Sequence, residues 1–161
     1  MPIPVYLICA ESGAIDENTK LISFFNVVEK LQFVRVETAP GQITVVSTVP
    51  LRLSAYWMRE EIDDLETDFE VHFVGIFPNA PAEIDLARGQ FRFTGPLQRL
   101  NVAGLQFTQF FGPGVLRLEA RIRRFGEDVW LNRMSYPIIL EEVQVAIPAA
   151  DLPAAPQQPP A

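Results

Sequence analysis

Cys9 and His72 are the chain's single cysteine and single histidine, so a thiol–imidazole nucleophile would have to be this pair. Cys9 stands in the apolar run VYLICA, where a neutral, buried thiol is expected. His72 alternates out of phase with Phe69, Val71 and Phe73, which assigns it to a wet strand face. A serine–histidine–acid triad would need the same histidine, and no GxSxG occurs. One cysteine and one histidine also exclude an internal disulfide and the usual four-ligand Cys/His zinc site. No catalytic residue, cofactor-binding residue or metal ligand is therefore assigned, and no cofactor is expected.

Charge is distributed in blocks. The run EEIDDLETDFE, residues 60–70, could feed oxygens to calcium through Asp63 and Asp64 together with Glu127 or Asp128. It lacks the DxDxDG spacing, and Ile62 and Leu65 at i, i+3 suit a short helix or wide turn with its acids in water. Residues 1–87 hold five basic and fourteen acidic side chains, whereas residues 88–133 hold eight basic and three acidic ones. Eleven of the thirteen bases are arginine, the side chain suited to bidentate contact with carboxylate or phosphate. Arg117, Arg121 and Arg123 share one strand face, with Arg92 and Arg124 as neighbours. Arg117, Arg121, Arg123 and Arg92 form a possible anion or partner patch. The competing expectation is cross-strand pairing of the arginines with Asp68, Glu70 or Glu119. Trp57 and Trp130 could stack on a sugar, but Trp57 falls on an apolar face and reads as core.

The elements that must hold these residues read as strands. In LRLSAYWMR, Leu51, Leu53, Ala55 and Trp57 share one face. In VLRLEARIRR, Leu116, Leu118, Ala120 and Ile122 alternate with Arg117, Glu119, Arg121 and Arg123. DFEVHFVGIF repeats the pattern, and shorter runs at 3–9, 43–48, 90–94, 129–134 and 138–147 also suit strands. Turns are expected at 39–42, 77–81, 112–114 and 125–128. The stretch 21–33 shows helical spacing in Leu21, Phe24, Phe25, Val28 and Leu31, but its aromatic and β-branched density predicts strand. A short helix is a second option at MREEIDDLET. Residues 148–161, PAADLPAAPQQPPA, carry five prolines and read as a disordered Pro/Ala-rich tail after a domain at 1–147.

Three stretches resemble a group of uncharacterised bacterial proteins. After VYLICAES come Asp16, Thr19, Lys20, Leu21, Phe25, Asn26 and Val27; LSAYWMRE leads into FEVHFVGIFP; and GLQFTQFFGPGVLRLEARI follows. The resemblance covers most of residues 3–145 and implies a small β-sandwich of unknown function, with no site to carry over.

The 161 residues suffice for one cored domain. The expectation is an all-β chain: a single antiparallel β-sandwich of immunoglobulin-like or C2-like character with little helix. A net charge of −7 gives no global case for nucleic acid or anionic membrane as partner, and neither nucleic-acid binding nor membrane insertion is expected. No apolar run reaches the ~18–20 residues of a membrane helix, and the N-terminus lacks a charged n-region. The expected location is the cytoplasm and the expected partner is a protein. The functional reading is a non-enzymatic protein-binding or scaffold module. A calcium- or lipid-responsive C2-like domain and a carbohydrate-binding sandwich are the alternatives.

Overall fold

The computed structural model describes residues 2–18, 22–39, 42–46, 50–60, 65–107 and 111–143, with backbone alone at 34–39, 42–46 and 132. Among these residues there are ten strands and no helix. They are β1 (Ile3–Ile15), β2 (Ile22–Val27), β3 (Lys30–Ala39), β4 (Gln42–Val46), β5 (Leu51–Met58), β6 (Asp68–Ile76), β7 (Ile84–Arg92), β8 (Leu97–Leu105), β9 (Gly114–Arg124) and β10 (Asn132–Val143). The strands form a four-stranded sheet in the order β2-β1-β5-β8 and a six-stranded sheet in the order β4-β3-β10-β9-β6-β7. All pairings are antiparallel except that of β3 with β10. The result is an all-β, sandwich-like architecture.

Alternation builds the core. Leu51, Leu53, Ala55 and Trp57 of β5 are buried, as are Leu116, Leu118, Ala120 and Ile122 of β9 and Phe69, Val71 and Phe73 of β6. They join Leu7, Cys9, Phe33 and Ile138 in one apolar cluster drawn from both sheets. Each large side chain buried in this way contributes roughly 1.5–3 kcal/mol, and that is what holds the layers together.

Several boundaries differ from the sequence expectation. The stretch 21–33 is strand, as predicted, at 22–27 and 30–33 but broken between them, and Leu21 lies outside the described residues. β2 stops at Val27, and β3 begins at Lys30 in the other sheet, so Val28 and Glu29 carry the chain between layers. β7 begins at Ile84, before the predicted run 90–94, and β8 was not anticipated. Both lie at sheet edges, where half-exposed residues blur the alternation. The runs 129–134 and 138–147 are one strand from 132 to 143, with 144–147 outside the described residues. Pro137 does not interrupt β10 because the ladder to β3 starts only at Ile139, so on that side its missing N–H breaks no bond. In the predicted short helix, Met58 ends β5 and Leu65–Glu66 form a turn. Residues 61–64, with the calcium candidates Asp63 and Asp64, lie outside the described residues, as does the tail 148–161.

Two bulges set which side chains meet. In β8, Ala103 and Gly104 stand against Arg52 alone, and Gly104 takes a left-handed backbone (φ 72°) that returns Leu105 to the core beside Leu51. In β7, Leu86 is the extra residue: Phe73 faces Ala87 while Val74 faces Asp85. Leu86 and Ala87 both pack inward, so Asp85 is moved to the outer face of the six-stranded sheet.

Candidate functional site

The outer face of the six-stranded sheet gathers most of the charge. The register places Arg88, His72, Arg121 and Arg133 in one row across β7, β6, β9 and β10, with Gln90, Glu70 and Arg123 in the next. Carboxylates are threaded between the cations. Arg121 donates to Glu83 Oε1 at 3.0 Å and Oε2 at 2.7 Å, and its Nε donates to Glu119 Oε2 at 3.0 Å. Arg117 reaches the other oxygen of Glu119 at 3.3 Å. Arg123 donates to Glu70, and Arg92 makes a two-pronged contact with Asp68, both bonds at 2.9 Å. These contacts hold Asp68 and Glu83 below the usual carboxylate range, through Arg92 and Arg121 respectively, and push Arg121 up, chiefly through Glu83.

All four arginines of the predicted patch therefore lie on one sheet face, and each is bonded to a carboxylate of the same chain. Asp68, Glu70 and Glu119 are the acids that the alternation placed opposite them. Glu83 is a further partner, brought in from the turn before β7.

His72 corrects the sequence reading. It does point to the outer face, yet it is only 4% exposed. The indole of Trp130, from the segment between β9 and β10, lies over it with ring centroids 5.4 Å apart, and Nε2 bonds the Asp85 carboxylate. That bond, ahead of a second one from Arg88, holds Asp85 below its ordinary range. Cys9 is on the other layer, fully buried in the four-stranded sheet, and burial pushes its thiol up to about 12. The structure does not bring Cys9 and His72 together, so the thiol–imidazole pair is absent.

Trp57 is in the core, as expected, and its indole N–H has no hydrogen-bond partner among the described residues. Trp130 carries the Arg123 guanidinium 4.5 Å from its ring centroid, a cation–π contact. Glu127 and Asp128 are exposed in the same segment, and among the described residues no group of three or more Cys, His, Asp or Glu could hold a metal ion.

The outer face of the four-stranded sheet has a different chemistry. Ile3, Met58 and Leu97 are paired in register across β1, β5 and β8 and are 37%, 39% and 43% exposed. The next row holds Tyr6, Tyr56 and Arg99. The two tyrosine rings lie 5.1 Å apart, Phe24 of β2 stands edge-on to Tyr6, and the Arg99 guanidinium covers Tyr56 at 5.3 Å. Arg99 makes no ion pair among the described residues. Beyond this row Ser54 donates to Asn101 at 2.6 Å, and the face turns polar. Sequence reasoning passed over this surface because β8 was not foreseen. The alternating Tyr56 and Met58 opposite Leu53 and Trp57 were the available signal.

Comparison with protein-family models and with curated proteins found no match. Among the described residues no helix is long and apolar enough to cross a membrane.

Proposed function

We propose that the chain is a non-enzymatic protein-binding module that works in the cytoplasm and docks its partner on the outer face of the four-stranded sheet. The observation that carries this reading is the exposed row of Ile3, Met58 and Leu97, backed by the Tyr6–Tyr56–Arg99 row. Three large apolar side chains aligned across neighbouring strands form a contiguous patch, whereas scattered exposed hydrophobics carry no such meaning. Tyrosine and arginine beside an apolar patch are the side chains that anchor protein interfaces. The charge on Arg99 sets the partner's chemistry: an apolar surface edged by a carboxylate. Two antiparallel-rich layers support an immunoglobulin-like or C2-like type of sandwich as the scaffold for this face.

A photoreactive residue at position 97 tests the proposal. It is expected to cross-link a different protein, which then binds the purified chain saturably. Met58→Glu and Arg99→Glu are each expected to weaken that binding tenfold or more, the first by placing charge in the apolar row and the second by reversing the rim. Binding indifferent to both substitutions would overturn the reading, as would cross-links found only between two copies of the chain.

A further inference from the structure

Trp130 divides the outer face of the six-stranded sheet into two hollows. One, of about 220 Å³, is lined by Glu70, Arg88, Gln90 and Arg123 with the indole. Its charges cancel, since Arg123 is bonded to Glu70 and Arg88 to Asp85. The other, of about 410 Å³, is lined by Arg121, Trp130, Leu131 and Arg133. Here the charges do not cancel. Arg121 is matched by Glu83 and Glu119, and Glu119 is shared with Arg117. Arg133, directly opposite Arg121 in the ladder, makes no ion pair among the described residues.

Like charges directly opposite each other on neighbouring strands destabilise a sheet, and every other basic side chain of the Arg88–His72–Arg121–Arg133 row has a carboxylate against it. We propose that the hollow between Arg133, Arg121 and Trp130 binds a small oxyanion, a carboxylate or phosphate group, with Arg133 as the residue that contacts it. Arg121 is already fixed by its two carboxylates, so it contributes a positioned positive field without having to reorder. The free guanidinium of Arg133 supplies a planar pair of donors that matches either oxyanion. Leu131 and the indole give the site an apolar wall, so an anion with a flat or apolar body fits better than a bare ion. The site lies on the sheet opposite the proposed docking face, and neither proposal depends on the other.

The test uses inorganic phosphate and benzoate as separate probes, followed by NMR on the indole N–H of Trp130, which a Trp130→Phe control assigns. At least one probe is expected to shift that signal saturably at millimolar concentration, with weaker binding as salt is raised. Arg133→Gln should lower the affinity tenfold or more, and Arg133→Lys should retain part of it. Arg124→Gln, an exposed cation outside the hollow, should leave it unchanged. A response to phosphate alone would assign the site to phosphate-bearing ligands, and a response to benzoate alone to carboxylates with an apolar body. The proposal fails if neither probe shifts the indole, or if Arg133→Gln and Arg124→Gln behave alike.

Discussion

Arg121 Nη2 lies 2.9 Å from Glu119 Oε2, two residues back on the same strand, and the Glu119 side chain is 2% exposed. A carboxylate this far from water depends on its partners, because its own desolvation is repaid only by hydrogen bonds from fixed cations. Replacing Arg121 with Met should destabilise the fold by about 2 kcal/mol, less than the ~3–5 kcal/mol of a fully buried pair because Arg117 stays within reach. Pairing Arg121→Met with Glu119→Leu should recover most of that loss. Urea unfolding of the two single variants and the double variant measures both effects. A double variant no better than Arg121→Met would show that Glu119 is not the group left stranded.

Trp130 screens His72 from solvent. As the chain's only histidine, His72 is a clean reporter for this cover. Its modification by diethyl pyrocarbonate should be slow in the native chain, at least tenfold faster in Trp130→Ala, and still slow in Trp130→Phe, which keeps a ring over the site. Peptide mass spectrometry reads the rates, and equal rates in all three proteins would refute the cover.

Stability should fall at both ends of the pH scale, by different groups. Asp68, Glu83, Asp85 and Glu141 are held below the ordinary carboxylate range by Arg92, Arg121, His72 and Lys30 respectively. In the unfolded chain they take up protons near pH ~4, before the folded chain does, so stability present above that range is lost on acidification. Cys9 works in the opposite sense. Its thiol is pushed up to about 12 in the fold, while an unfolded thiol ionises near ~8.5, so stability declines as pH rises between those values. Denaturant titrations from pH 3 to 11 check both limbs. Cys9→Ala should make the alkaline one shallower, with Tyr136, whose hydroxyl is also pushed up by burial, keeping part of it, and should leave the acid one intact.

Legibility in the sequence followed the strength of the alternation. β5, β6 and β9 were readable because their apolar core residues repeat with period two in the sequence, although His72 and Glu119 on the outer face are buried as well. β7 was read too short and β8 was missed for the same physical reason: an edge strand half in water is under less demand for apolar side chains, so Gly89 stands opposite Val71, and Leu100 and Val102 are only partly buried. The Asp68, Glu70 and Glu119 partners of the arginines were visible in the pattern. The His72–Asp85 contact was not, since it exists only because the bulge at Leu86 shifts the parity of β7. Nothing local marks that position. The cover over His72 was equally hidden, because Trp130 comes from a connecting segment whose path no periodicity describes. Arg133 was counted among the bases of residues 88–133, but its isolation is a property of its neighbours.

The position of β10 between β3 and β9 governs the order in which the domain can assemble. Among the described residues β3 and β4 have no other strand partner, so until residues 132–143 arrive the larger sheet exists only as two separated fragments. The join links segments about a hundred residues apart, and closing so long a loop is costly before any contact rewards it. Synthesis from the N-terminus must therefore run nearly to the end of the described chain before the interior can seal. Until then the facing edges of β3 and β9 are open to any passing strand, which makes this keystone the point at which misassembly or chaperone capture would begin.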